Sequence, residues 1–108
     1  MAGDGLIVMC ALTLAELGHG IYRADTVVKA QQRRRFLDEL KRHVPIHPIT
    51  EVTAEIVARV GGEQAAKGMT VPLADLIIGA CALELGYAVA THNVRQFQMI
   101  PGLDVRRL

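Results

Sequence analysis

Apolar residues fill positions 5–12 without a break, in Gly5-Leu6-Ile7-Val8-Met9-Cys10-Ala11-Leu12. A run that is apolar on both faces predicts a strand buried between helices. Thr13 follows as the predicted N-cap of a helix. Glu16 stands three residues on, at the spacing of a capping box, and Leu14, Leu17 and Ile21 share one face. Gly18 and Gly20 weaken that helix or permit close packing against it. From Asp25 or Thr26 to His43 the pattern predicts an amphipathic helix. Its inward positions are Val27, Val28, Ala30, Phe36, Leu37 and Leu40, and most of its basic residues, Arg33-Arg34-Arg35 among them, point outward. The two prolines of Val44-Pro45-Ile46-His47-Pro48-Ile49 confine that extended segment to a sheet edge.

Thr50 caps the next predicted helix, which runs from Glu51 to about Lys67, is interrupted at Gly61-Gly62 and is closed by Gly68. Another is expected from Pro72 or Leu73 to Leu85, opened by proline and ended by Gly86. Residues 87–91 then read as a strand, 92–98 as a turn or short helix, and 103–105 as a terminal strand. Strands alternating with helices place the chain in the α/β class. With no linker-like stretch or internal repeat, the 108 residues are expected to form a single domain.

Composition narrows the function classes. Apolar residues make up 51% of the chain, enough for a packed core, which excludes a disordered or low-complexity segment. The 12 Lys and Arg against 11 Asp and Glu leave a net charge of +1, so any polyanion must be met by a local patch. Neither apolar run approaches the roughly 20 residues of a membrane span. Asp4 stands where a secretory signal carries positive charge, so a cytoplasmic location and no membrane partner are expected. Cys10 and Cys81 lie in apolar stretches without CxxC spacing and are expected to be reduced core residues. His19, His43, His47 and His92 form neither HxxxH nor HExxH, and are expected to be surface or structural residues.

Asp75 is the sole charge between Lys67 and Glu84, inside an apolar helix. A carboxylate so placed either serves the helix N-terminus or binds a metal or cationic ligand that compensates its desolvation. Glu16 is the sole charge between Asp4 and Arg23, with the capping box as its structural role. Thr91-His92-Asn93 gathers polar side chains at the end of a predicted strand, where open α/β sheets place ligands and where an Asx-type turn also belongs. Convergence of Glu16, Asp75 and Asn93 on one sheet edge would make an oxygen-rich site. Such a site suits Mg²⁺ or Mn²⁺ rather than zinc, and with it metal-assisted phosphodiester hydrolysis. Arg23 and Arg95, near Glu16 and Asn93, are placed to meet phosphates, whereas Arg33-Arg34-Arg35 reads first as a solvated face.

Three segments together resemble the PIN-domain ribonucleases, most closely the VapC toxins. They are Ala11-Leu12-Thr13-Leu14-Ala15-Glu16-Leu17 with the following Gly18-His19-Gly20-Ile21-Tyr22-Arg23-Ala24, then Pro72-Leu73-Ala74-Asp75-Leu76-Ile77-Ile78-Gly79-Ala80, then Ala90-Thr91-His92-Asn93-Val94-Arg95-Gln96-Phe97 with Ile100-Pro101-Gly102-Leu103. The resemblance implies a three-layer α/β fold, a mostly parallel sheet flanked by helices. It also implies a metal-dependent endoribonuclease of a toxin–antitoxin system, using Mg²⁺ or Mn²⁺. Glu16 and Asp75 match the second and third acidic positions, as metal ligands. Asn93 matches the fourth, and Thr91 the polar residue just before it. Thr91, Arg95 and Arg23 are assigned to RNA or partner contact. The implied partners are RNA, a VapB-like antitoxin, and a second copy of the chain in a homodimer or a hetero-oligomer with antitoxin.

One departure is large. PIN domains open with a strand ending in Asp and a helix, ahead of the segment equivalent to residues 5–13, and these 108 residues carry neither. Asp4 precedes the wrong strand, and the Cys10 thiol cannot replace a hard oxygen ligand. The domain is therefore expected to be an incomplete PIN domain lacking the usual first strand and helix. A start assigned too far downstream and a shortened gene copy would both give this sequence. The missing strand would lie between residues 6–12 and 87–91, which then pair directly or have their edges covered by another chain. Two acids and an amide hold Mg²⁺ poorly, so activity is expected to be strongly reduced or absent. The alternative is a catalytically inactive PIN fragment that binds antitoxin or dimerises. A third reading, a small α/β domain without a site, keeps Glu16 and Asp75 as helix N-terminal acids only.

Overall fold

The computed structural model describes residues 8–108, which form two compact units, 8–48 and 49–108. The first unit runs β1 (Met9–Cys10), α1 (Ala11–Tyr22), α2 (Val27–His43) and β2 (Ile46–His47). β1 and β2 pair in parallel, Met9 opposite Ile46 and Cys10 opposite His47. The second runs α3 (Glu51–Ala66), α4 (Leu73–Leu85), β3 (Val89–Thr91), α5 (Val94–Phe97) and β4 (Val105–Arg107). Here β3 and β4 pair in parallel, with Val89 opposite Val105 and Thr91 opposite Arg107.

The predicted start of α1 needs correction. The helix begins at Ala11, its N-cap is Cys10 in extended backbone, and no side chain caps it. Thr13 is an interior helical residue, and the Thr13–Glu16 capping box does not form. The physical reason is local: Ala11 and Leu12 favour helix, so the chain leaves β1 two residues before the threonine. Of the predicted strand 5–12, residues 5–7 lie outside the described residues. At its other end α1 finishes on a carbonyl that the backbone does not use. The Ala24 N–H turns to the Ile21 oxygen, and the Gly20 carbonyl instead accepts a hydrogen bond from Arg33 Nη1 at 2.6 Å. A guanidinium at this end also meets the negative pole of the helix.

The inward face of α2 is narrower than its pattern predicts. Leu37 is buried and Ala30 and Leu40 are half-buried, but Val27, Val28 and Phe36 are 72%, 61% and 59% exposed. Within this unit α2 packs on α1, and one helix seam covers a single stripe. Val27 and Phe36 fall on opposite flanks of that stripe, because successive helical residues step about 100° around the axis.

Thr50 caps α3 as predicted, and the box closes with Thr53: each threonine hydroxyl accepts the other's backbone N–H, at 3.4 and 3.1 Å. Gly61-Gly62 does not interrupt this helix. Gly61 instead lets α4 approach, since a Cβ there would stand 3.0 Å from Leu76 Cδ1. Val60, Val71, Leu76, Ala82, Val89, Phe97 and Ile100 form the core of this unit. Gly86 ends α4 in the left-handed conformation, φ 71°, and the Tyr87 N–H returns to the Ala82 carbonyl. That cap consumes the first residues of the predicted strand 87–91, leaving β3 at Val89–Thr91. The terminal strand falls two residues later than predicted, at Val105–Arg107, after a turn through Pro101 and Gly102 that hands the Asp104 carbonyl to the Val89 N–H.

Thr53 is fully buried and donates its hydroxyl proton to Glu84 Oε1 at 2.7 Å, tying the start of α3 to the end of α4. Thr53→Val keeps the volume and removes the group that serves both the cap and the carboxylate. We expect a loss of about 1–3 kcal/mol, seen as a lower urea midpoint at unchanged slope. An unshifted midpoint would show that the pair contributes nothing net.

Candidate active site

The sequence-predicted site residues divide between the two units. Asp75, Thr91, Asn93 and Arg95 belong to 49–108, and Glu16 and Arg23 to 8–48. Asp75 enters in the first turn of α4, just after Pro72, which supplies no side-chain cap. Its carboxyl group is half-buried and makes no hydrogen bond or ion pair among the described residues. Desolvation by the surrounding apolar helix pushes it up from the usual carboxylate range. This leaves a carboxylate with its acceptor capacity unused.

The end of β3 is shaped by Thr91, not by the asparagine. The Asn93 N–H donates to Thr91 Oγ1 at 2.9 Å, which closes the turn into α5. The turn is therefore closed by the threonine hydroxyl and not by an Asx-type contact, and the exposed Asn93 side chain makes no hydrogen bond among the described residues. Arg95 is exposed on α5, and α5 packs against α4 and β4.

Glu16 is not in the first turn of α1, so neither the capping box nor a role as a helix N-terminal acid explains it. It is exposed and lines an open groove of about 370 Å³ with Leu17, Gly20, Gln32, Arg33 and Phe36. Arg23 caps the C-terminal end of α1 and is exposed. The basic triplet of α2 is only partly a solvated face. Arg33 holds the Gly20 carbonyl, and Arg34 donates to the Tyr22 hydroxyl at 2.9 Å with its guanidinium carbon 5.8 Å from the ring centroid. Sequence patterning left Tyr22 unmarked, because its exposure follows from where α1 stops.

Cys10 and Cys81 are both buried. Among the described residues no helix is long and apolar enough to cross a membrane. Nor do three or more His, Cys, Asp or Glu side chains stand close enough to hold a metal ion. The donors fit Mg²⁺ or Mn²⁺ in kind, being hard oxygens, but among the described residues their number does not complete a cation site.

The PIN domain family matches residues 1–102. The chain belongs to the PIN-domain family. Ribonuclease VapC1 of Rickettsia felis is 28% identical over 101 residues, which cover 94% of this chain and 75% of that protein. Solved structures agree in fold. VapBC2 from Rickettsia felis, bound to a DNA fragment from its promoter, aligns with a TM-score of 0.85 at 23% identity, over 95% of this chain and 75% of that one. VapBC-5 from Mycobacterium tuberculosis aligns with a TM-score of 0.81 at 26% identity, over 100% of this chain and 90% of that one. The PIN-like α/β fold expected from the sequence is thus the fold observed, with both described strand pairs parallel.

Proposed function

We propose that this PIN-domain chain is a metal-dependent endoribonuclease of the VapC type, the toxin of a toxin–antitoxin pair, acting on RNA in the cytoplasm as one domain over residues 1–108. The observation that carries the reading is Asp75, a desolvated carboxylate without a partner among the described residues, in a PIN domain. A partly desolvated carboxylate with no compensating partner marks a candidate functional position. A bound Mg²⁺ or Mn²⁺ supplies Lewis acidity toward a phosphodiester and its attacking water. Asp75 is assigned as a direct ligand, Glu16 as a direct or water-mediated one, and Asn93 as the group that orients water with its free amide. Thr91 holds the turn that presents Asn93. Arg95 and Arg23 meet RNA phosphates or antitoxin.

A VapB-like antitoxin is the proposed partner, in a hetero-oligomer or beside a homodimer, supported by the VapBC complexes among the similar structures. A second reading is favoured by the donor count: with two carboxylates assigned, the chain binds antitoxin or a second copy without cleaving. The exposed Val27, Val28 and Phe36 suit such a partner.

Cleavage of a fluorescent single-stranded RNA with and without Mn²⁺ separates the two. We expect slow, Mn²⁺-dependent cleavage that Asp75→Ala abolishes. Cleavage that ignores both Mn²⁺ and Asp75→Ala overturns the site assignment, and antitoxin binding without any cleavage moves the chain to the second reading.

A further inference from the structure

The C-terminal end of α1 carries an aromatic ring that the fold holds in water. Tyr22 is 80% exposed, the most exposed large apolar side chain among the described residues. It is held in place from one side, because Arg34 both donates to its hydroxyl and lies over its ring. A ring so restrained loses less conformational freedom on stacking than a free surface tyrosine. Beside it lies an open groove of about 480 Å³ lined by Ile21, Val27, Ala30, Gln31, Arg34 and Arg35.

The charges around the ring are unevenly used. Lys29 is paired with Asp25 at 3.1 Å and Arg33 with the Gly20 carbonyl. Arg23 and Arg35 are exposed and have no side-chain partner among the described residues. Two guanidiniums without a side-chain partner thus stand by the held ring, Arg23 next to it in sequence and Arg35 beside Arg34 in the lining of the groove. Single-stranded nucleic acid is read by that combination, bases stacking on the ring while cations follow the backbone. Val27 and Val28 alone would suit a protein helix as well, but the ring and the unpaired arginines favour a polyanion with flat bases.

We infer that the end of α1 is a landing surface for single-stranded RNA, with Tyr22 stacking one base and Arg23 and Arg35 meeting the flanking phosphates. The choice of RNA rests on the ribonuclease reading; the surface itself does not use Asp75.

The test is binding of a labelled oligouridine of about 12 nucleotides to the full chain carrying Asp75→Asn, followed by fluorescence anisotropy beside a matched abasic strand. Oligouridine is expected to bind more tightly than the abasic strand. Tyr22→Ala, with folding checked by circular dichroism, should weaken it by about tenfold and erase the difference, and Tyr22→Trp should restore it. Arg35→Ala should flatten the dependence of log affinity on log salt by about 0.7. Equal binding of both strands, or no effect of Tyr22→Ala, overturns the proposal. So does a Tyr22→Ala effect confined to association with an antitoxin, which would make this a protein-docking surface. Binding is read without cleavage, so these outcomes refute the landing surface alone, whereas a wild-type chain that never cleaves RNA refutes the ribonuclease reading.

Discussion

Gly79→Val is expected to destabilise the protein by about 1–3 kcal/mol, which lowers the melting temperature by about 4–8 °C for each kcal/mol lost in a domain of this size. Gly79 is buried in α4, and a Cβ at that position would stand 2.5 Å from Ile100 Cδ1 and 3.5 Å from Leu103 Cδ2. Ile100 is itself 3% exposed and packed among Val60, Leu76 and Phe97, so it has little room to give way. Gly79→Ala separates the two contributions. It gains about 1 kcal/mol of helix propensity, offset by the displaced isoleucine, and pairing it with Ile100→Val should recover that gain. A Gly79→Val protein that melts like the wild type would show that α4 and residues 100–103 are not in this close contact in solution.

Asp75→Asn should act in opposite directions on activity and stability. Losing the carboxylate should reduce cleavage by at least about a hundredfold, since even partners one step removed from a metal contribute 10–100-fold. Stability follows the other sign. Burial holds the folded pKa above the unfolded value, so between the two the native state keeps a proton that the unfolded chain has released. The stability contributed by this group is therefore greatest at or below the ordinary carboxylate pKa, and it declines as pH rises through the raised folded value. Asparagine does not titrate. Without divalent ion, the urea midpoint of Asp75→Asn should gain on the wild type as pH is raised through that window and hold its lead at neutral pH. A wild type that instead gains on the variant with pH would mean that Asp75 is ion-paired in solution, and the metal-ligand assignment would lose its main support.

Helices with strong end signals were legible from the chain. Thr50 and Gly68 bracket α3, and Pro72 and Gly86 bracket α4, because caps and left-handed glycines are local chemistry. The cap of α1 lies three residues before the Thr13 that the sequence offers, because the strand-to-helix junction at Cys10 needs no side-chain cap. The terminal strand shifted because its register is set by the Val89 N–H reaching the Asp104 carbonyl, a pairing between segments distant in sequence. For the site, isolated charges in apolar surroundings were enough to single out Asp75 and Glu16. Sequence could not tell a cap from a ligand for Glu16, and the capping role fell only once α1 was seen to begin at Ala11.

By itself the sequence determined the α/β class, the resemblance to PIN domains and the residues able to carry oxygen chemistry, since these depend on composition, periodicity and local motifs. Only the tertiary structure decided which apolar residues of α2 are covered. Val27 and Phe36 flank the stripe of Ala30, Leu37 and Leu40, and one neighbouring helix covers just that stripe, while Val28 falls on the opposite side of the helix. It also decided what the arginines do: Arg33 and Arg34 are fastened to the end of α1, while Arg23 and Arg35 are left without side-chain partners among the described residues. Periodicity states which residues can be buried, and burial itself depends on how many elements arrive to cover them.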